Sequence, residues 1–360
     1  MKRRGGADVL RLVRLRSQML AGALGDSPES VVGRLLAVQA QNERGFRLAI
    51  RSRSAGLLAR DVDRSLNERR LLVTWLNRGT LHLVRSEDYW WLHALTAPRI
   101  VSGVDRRLSQ DGVTALQAER GIQTVVASLE AEGPLSRQEI RARLDAEGVP
   151  TQGQALIHLL AATSLRGLIV RGPVVDGRHA FVLVSDWLGS SPGPVGRHEA
   201  LGRLADRYLE GHEPASPADL AKWAGITLGD ARIGFDQSGE ELRPVEGGSV
   251  RRTSDVDILP SAPTRLLGAF DPLLHGWASR ETFVGDHRGV VTQNGIFHPV
   301  CLVEGRVVAT WRLVSGAVEI HPLEDVAQCA VAELSDDARD VHRFIGDGGS
   351  APVVIAGGAT

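Results

Sequence analysis

The chain has 360 residues, of which 43% are hydrophobic and 24% charged, and this length and composition predict a globular protein of two or three compact units. It contains no apolar run that could cross a bilayer, no apolar signal-peptide core near its start, and only two cysteines, which exclude a disulfide framework and a cysteine zinc site. We therefore expect a cytoplasmic protein without a membrane partner, and its net charge of −1, taken alone, argues against nucleic-acid binding.

In chain order, three segments each predict helices followed by a short hairpin. In the first segment, helices are expected at 7–21, from Pro28 through Gln39 and at 59–69, and strands at 71–75 and 80–84. Ser27 before Pro28 is a helix cap with proline in the first turn. The turn between the two strands is Asn77-Arg78-Gly79.

The second segment follows the same plan most clearly. Its helices are expected at 116–131, 137–146 and 153–165, and its strands at 168–174 and 179–184. Ser136 and Glu139 form a capping-box pattern, and Asp176-Gly177 is typical of a tight hairpin turn. Three helices followed by a two-stranded wing predict a winged helix.

The third segment is less regular, and the remaining part of the chain changes to strands. Helices are expected at 197–208, after Ser216-Pro217 and after Thr227, and an extended stretch at 242–245. Strands follow at 297–303, 306–313 and 318–320, with an acidic helix at 323–344 and a glycine-rich tail. We expect an α+β protein of four parts: winged helices at 1–110 and 111–190, a winged-helix-like unit at 191–257, and a β-meander with a helix at 258–360.

The tripeptide Gln39-Ala40-Gln41 is the strongest chemical signal in the chain. The apolar stripe of Val32, Leu35 and Leu36 reaches Gln39 at helical spacing, so that this amide needs hydrogen-bond partners in a buried or cleft-facing position. If the chain is extended after Gln39, the two amides converge on one pocket, where they could hold a water, a sugar or a base edge. They cannot act as a general base, and the structural alternative is an amide that caps the helix.

Basic residues are concentrated in the first third of the chain. Residues 1–110 contain 20 Lys and Arg against 10 Asp and Glu, whereas residues 111–360 carry a net charge of −11. This asymmetry indicates polyanion binding by the first part, although a GC-rich genome also favours arginine, and only two of the basic residues are lysines. The candidate phosphate contacts are Arg44, Arg47, Arg51, Arg69, Arg70 and Arg78.

Two further motifs could contact DNA. Arg78 at a hairpin tip could meet phosphate while His82 faces a cleft, and Phe297 and His298 after Asn294-Gly295 could wedge into or stack on bases. The alternatives are a solvated hairpin tip and a turn with one apolar anchor. In Phe270-Asp271-Pro272, the aspartate before proline is typical of a turn. Because no Walker loop, nucleotide-binding glycine fingerprint or Cys/His cluster is present, we expect no cofactor and no metal.

The chain resembles the AlkZ-like bacterial DNA glycosylases over nearly its whole length. The motifs that carry the resemblance occur in the same order as in that family: Gln39-Ala40-Gln41, Arg78-Gly79-Thr80-Leu81-His82, Asn294-Gly295 and 304–312. The resemblance implies tandem winged helices in a C-shape around a basic DNA channel. It also implies a monomer that acts on double-stranded DNA containing alkylated purines and unhooks interstrand crosslinks.

The resemblance further implies that Gln39 and Gln41 are the catalytic residues. The Gln-apolar-Gln form is typical of enzymes that protect producers of DNA-alkylating natural products, which supports self-resistance, but genome-maintenance paralogues share the motif, so that DNA repair is the alternative role. Alkylation at guanine N7 makes the base cationic, so that positioning of a water and of the cationic sugar can suffice. We expect Gln41 chiefly to hold the water and Gln39 to orient the water or the sugar, with the reverse assignment as the alternative. The alternative function is a non-catalytic winged-helix regulator, which would bind DNA without releasing a base.

Overall fold

The computed structural model describes residues 6–239, 241–245, 248–251, 262–346 and 353–355. Contacts divide the chain into two compact units. Unit I comprises the described residues of 1–62, 201–223 and 227–360, and unit II comprises 63–200 and 224–226. The four-part division at 110, 190 and 257 stays a prediction, and its last boundary lies outside the described residues.

The elements are numbered here along the chain. The helices are α1 (Gly6–Ser17), α2 (Pro28–Leu35), α3 (Glu43–Arg51), α4 (Ala59–Asn67), α5 (Tyr89–Thr96), α6 (Val101–Gln110), α7 (Ala115–Glu132), α8 (Arg137–Ala146), α9 (Ala155–Leu165), α10 (Val184–Leu188), α11 (Arg197–His212), α12 (Pro217–Ala224), α13 (Leu228–Asp236), α14 (Glu281–Val284) and α15 (Gln328–Ile345). The strands are β1 (Val38–Gln39), β2 (Leu71–Leu76), β3 (Thr80–Arg85), β4 (Leu135–Ser136), β5 (Ile169–Val175), β6 (Arg178–Leu183), β7 (Leu242–Val245), β8 (Gly248–Arg251), β9 (Arg265–Leu267), β10 (Val300–Val303), β11 (Arg306–Val314), β12 (Ala317–Pro322) and β13 (Val353–Ile355).

Unit II is built on an antiparallel sheet in the order β3-β2-β5-β6-β4. Its hairpin β2–β3 pairs Trp75 with Leu81, and β2 meets β5 through Val73 and Arg171. Helices α6, α7 and α9 supply much of the apolar core of this unit. Helix α9 is apolar around almost its whole circumference, and nine of its eleven residues are buried, which explains why it lies inside the core rather than at the surface.

Unit I contains a second sheet in the order β13-β12-β11-β10-β9. Strands β9 to β12 are antiparallel neighbours, whereas β13 adds in parallel to β12. The meander predicted for this region is confirmed, including its two turns, because Glu304 and Ser315 have φ values of 48° and 49° and are each followed by a glycine with positive φ. Helix α15 packs against β9 and α3, and together they form the layer beside which the candidate site lies.

Local turn and cap signals were reliable predictors. The side chain of Ser136 accepts from the backbone N–H of Glu139, and Glu139 returns a bond to the backbone N–H of Ser136, as the capping-box pattern predicts. Ser27 caps α2, and Thr227 caps α13. Asp176 and Gly177 have φ values of 49° and 74°, as a tight hairpin turn requires.

The prediction that one helix runs from Pro28 through Gln39 is wrong. Helix α2 ends at Leu35, because Leu36 turns to φ 64° and breaks the helical hydrogen-bond pattern. Helices α3, α5 and α6 were missed. The chain is a mixed α+β protein, as predicted, and no helix in its described part is long and apolar enough to span a membrane.

Candidate active site

The glutamine pair, Gln39 and Gln41, lies on a short extended segment between two helices of unit I. After Leu36 the chain extends through β1, and Asn42 then caps α3 by accepting from the N–H of Gly45 at 2.7 Å. In an extended chain, residues two apart point to the same side. Because the turn at Leu36 ends the helix, the side chains of Gln39 and Gln41 point to the same side instead of pointing apart.

The two amides are hydrogen-bonded to each other. Nε2 of Gln39 donates to Oε1 of Gln41. Gln39 is buried, with 7% of its surface exposed, whereas Gln41 is exposed. The buried amide of Gln39 therefore orients the carbonyl oxygen of the accessible amide of Gln41. Because a carbonyl oxygen has two lone pairs, Gln41 can accept a second hydrogen bond from a water or substrate group.

The first turn of α3 packs closely against the chain after β9. A Cβ atom on Gly45 would lie 2.2 Å from the carbonyl oxygen of Ala269, so that only glycine allows this approach. Gly268 is constrained in the same way, since its Cβ would lie 2.9 Å from the carbonyl oxygen of Gly45. The segment that follows Gln41 is thus fixed directly against Gly268 and Ala269.

A cavity of about 590 Å³ opens at this contact. It lies at the N-terminus of α3, beside strands β11 and β12. Its lining mixes apolar side chains with cationic and imidazole side chains. The residues that line it are Asn42, Glu43, Arg44, Gly45, Leu48, Ala269, His298, Pro299, Thr310, Trp311, Arg312, Leu313 and His321.

Among the arginines predicted to contact phosphate in unit I, two are accessible and one is not. Arg44 is exposed at the cavity, and Arg47 is partly exposed over the ring of Phe46. Arg51 is only 2% exposed and forms ion pairs with Asp337 at 2.8 Å and with Asp340 at 3.2 Å. Its guanidinium is occupied within the fold, so we remove Arg51 from the predicted DNA contacts.

The predicted base contact of Phe297 also needs correction. Phe297 is 8% exposed, and its ring centroid lies 3.9 Å from that of His275 and 5.8 Å from that of Phe270. It is a core member of an aromatic cluster and cannot wedge into DNA in this conformation. His298, by contrast, is partly exposed and lines the cavity, and Ile296 beside Phe297 is 49% exposed at the turn.

In unit II, three predicted arginine contacts lie at the surface. Arg69 donates to the carbonyl of Asp186 at 3.0 Å and lies over the ring of Trp187. Arg70 is exposed beside Glu68, and Arg78 is exposed at the tip of the β2–β3 hairpin. These positions are compatible with the phosphate contacts predicted for them.

His82 does not have the environment expected of a DNA contact. It is 2% exposed on β3, and its Nδ1 donates to the carbonyl of Thr80 at 2.8 Å. Burial, together with the nearby Arg78 cation, lowers the pKa of His82 to about 3, so that the ring is neutral at physiological pH. A buried neutral imidazole cannot attract phosphate, and His82 is a structural residue of the hairpin.

The sequence does not predict a buried ion pair in unit I. Arg53 and Asp271 are both fully buried and form two hydrogen bonds, at 2.7 Å and 2.9 Å. Asp271 also accepts from the N–H of Leu273 at 2.9 Å, so the predicted turn role is confirmed. No local signal could reveal the ion pair, because its partners are 218 residues apart.

The mixed α+β fold and the two bonded glutamines agree with a match between residues 32–344 and the model of the family described as DNA glycosylase AlkZ-like. The chain belongs to this family and is therefore an enzyme of the DNA glycosylase class.

Two comparisons with individual proteins agree with this assignment. The chain is similar to the interstrand DNA cross-link repair glycosylase of Streptomyces sahachiroi, with 28% identity over 92% of this chain and 95% of that protein. Its structure is similar to that of Streptomyces sahachiroi DNA glycosylase AlkZ, with a TM-score of 0.79 and 26% identity over 98% of this chain and all of the other.

Proposed function

We propose that this enzyme hydrolyses the N-glycosidic bond of N7-alkylated guanine in double-stranded DNA, with bulky natural-product adducts, interstrand crosslinks or both as substrates. The observation that carries the proposal is the bonded pair of amides, Gln39 buried and Gln41 exposed, directly before Asn42, which lines an open cavity. The name of the Streptomyces sahachiroi relative, which repairs interstrand crosslinks, supports the substrate class.

The chemistry of this substrate explains why uncharged side chains are sufficient. Guanine that is alkylated at N7 is cationic and leaves as a neutral base, so its departure requires no proton donor. The sugar then develops positive charge, and a positioned water completes the hydrolysis. Amide oxygens are fixed dipoles that can stabilise the cationic sugar and accept a hydrogen bond from this water.

The geometry supports different roles for the two glutamines. We assign Gln41 to the water, because its carbonyl oxygen is accessible and retains a lone pair after accepting from Gln39. We assign Gln39 to the orientation of Gln41, because it is buried and donates the bond between them. The opposite assignment would require the buried amide to reach the reacting sugar.

The proposed DNA contacts are Arg44, Arg47 and His298 in unit I and Arg69, Arg70 and Arg78 in unit II. Arginine forks suit phosphate oxygens, and binding through them weakens as salt increases. The proposal also includes three winged-helix units in a C-shape around a DNA channel. It further includes action as a monomer and a role in self-resistance or repair. A genomic position among housekeeping genes would count against self-resistance.

The test is incubation with duplex DNA that contains one N7-methylguanine, followed by alkaline cleavage at any abasic site. Gln41→Ala and Gln39→Ala should each lower the single-turnover rate by about ten- to a thousand-fold, the effect of losing one positioned polar group. Gln123, an exposed glutamine on α7, provides the matched control, and Gln123→Ala should keep the full rate. Duplex binding without base release by the unaltered enzyme would support the regulator alternative and contradict the proposal.

A further inference from the structure

We propose that Phe270 is the residue on which the cationic target base stacks beside the glutamine pair, and that the buried Arg53–Asp271 ion pair holds it there. This inference rests on the proposed function and names a specificity-determining residue for the same site. Phe270 is partly exposed and directly precedes Asp271.

The position of Phe270 follows from the close contact of α3 with Gly268 and Ala269, the two residues that precede it. Asn42 and Ala269 line the same cavity, and the carbonyl of Ala269 lies against Gly45. Gln41 is the residue before Asn42, and Phe270 is the residue after Ala269. The exposed amide and the partly exposed ring therefore lie within one residue of the same cavity.

Phe270 and His275 are the partly exposed members of an aromatic cluster whose third ring, Phe297, is buried. The ring of Phe270 is nearly parallel to the imidazole of His275, with an interplanar angle of 6° and a centroid distance of 6.1 Å. Phe297 packs against both rings from the core, and Arg280 lies over Phe297 at 4.8 Å. A ring that is supported in this way can offer a flat surface to a base with little further loss of side-chain freedom.

The backbone of Phe270 is held in an uncommon conformation. Its φ of 58° lies in the left-handed region, which is rare for a bulky residue and persists only where surrounding contacts enforce it. The next residue supplies such contacts, because Asp271 is bonded to Arg53 and to the N–H of Leu273. The ion pair thus fixes the backbone that carries the ring.

Stacking on an open aromatic face suits the proposed substrate. A base can stack on one exposed ring without entering a closed pocket, so that a bulky adduct can remain outside. A cationic base also gains from the electron-rich face of an aromatic ring, which an uncharged base does not. Phe270 should therefore contribute more to the binding of N7-alkylguanine than to the binding of ordinary guanine.

The test compares Phe270→Leu with Phe270→Tyr, two variants that share the same backbone strain and differ in aromatic character. At subsaturating enzyme, where the rate depends on affinity for the damaged base, single-turnover release of N7-methylguanine from a duplex should fall by about 5- to 150-fold in Phe270→Leu, the range expected for loss of one base–aromatic stack. Phe270→Tyr should retain most of the rate. Affinity for an undamaged duplex should change little in either variant. Trp90, another partly exposed aromatic residue, provides the control, and Trp90→Ala should keep the wild-type rate.

A second variant separates stacking from folding. Phe270→Gly removes the strain at φ 58° together with the ring, so it should melt no earlier than Phe270→Leu and still be slow. A wild-type rate in Phe270→Leu, or equal losses in the leucine and tyrosine variants, would overturn the inference. Either result would leave the proposed function intact if Gln41→Ala is still impaired, whereas an inactive wild-type enzyme would refute the proposed function itself.

Discussion

The Arg53–Asp271 ion pair allows a quantitative prediction for the substitution Asp271→Asn. The change keeps the shape of the side chain and removes its charge, which leaves the fully buried guanidinium of Arg53 without its counter-charge. Removal of one partner from a buried pair destabilises by about 3–5 kcal/mol. For a unit of this size, such a loss corresponds to a fall in melting temperature of about 6–20 °C.

The assay is thermal unfolding followed by circular dichroism, with an exposed ion pair as the control. Arg120 and Glu147 form a surface pair at 2.7 Å, and Glu147→Ala should cost less than about 1 kcal/mol. The double variant Arg53→Met with Asp271→Leu should recover much of the stability, because no unpaired charge remains buried. If Asp271→Asn has the same melting temperature as the wild type, the ion pair does not hold the segment that carries Phe270.

Three other predictions concern packing, pH and salt. Gly45→Ala should destabilise the protein by about 1–3 kcal/mol in urea unfolding and slow base release, because its Cβ would collide with the carbonyl of Ala269. In the control Gly103→Ala, the new Cβ meets no atom within 4 Å, so this variant should be neutral or stabilising in the same assay. Because burial lowers the pKa of His82 to about 3, the unfolded chain binds a proton that the folded chain does not, and stability should fall as the pH drops from about 6.5 towards 3. In His82→Gln, the free energy of unfolding should vary less with pH, by about 1.4 kcal/mol per pH unit. An unchanged pH dependence would contradict the lowered pKa of His82. Arg78→Gln should lower the salt slope of duplex binding by about 1, measured by fluorescence anisotropy, and an unchanged slope would exclude a phosphate contact at that position.

Signals between neighbouring residues predicted much of the fold. The capping pair Ser136 and Glu139 and the turn at Asp176-Gly177 were correct because their hydrogen bonds and backbone angles are local. The end of α2 was missed because Leu36 adopts a positive φ that its residue type does not favour. That one turn decides how the two glutamines face each other.

Long-range burial accounts for the errors at the site. Arg51 and Phe297 look like surface contacts in the sequence, but Asp337 occupies the first and His275 covers the second. The ion pair of Arg53 with Asp271 also depends on residues that are distant in the chain. Composition and periodicity carry no information about which distant side chain will cover a given arginine or phenylalanine.

The central claim is that two neutral amides are sufficient because the departing base is already cationic. The measurement that tests it most directly is the pH dependence of single-turnover N7-methylguanine release at saturating enzyme, between about pH 6 and pH 8.5. The account predicts that the enzyme adds no titration step to the pH profile of spontaneous N7-methylguanine release from the same duplex, and that no uracil is released from a matched duplex. A bell-shaped profile that persists in Gln41→Ala, or efficient uracil release, would show that a titratable acid or base performs the chemistry and would contradict the account.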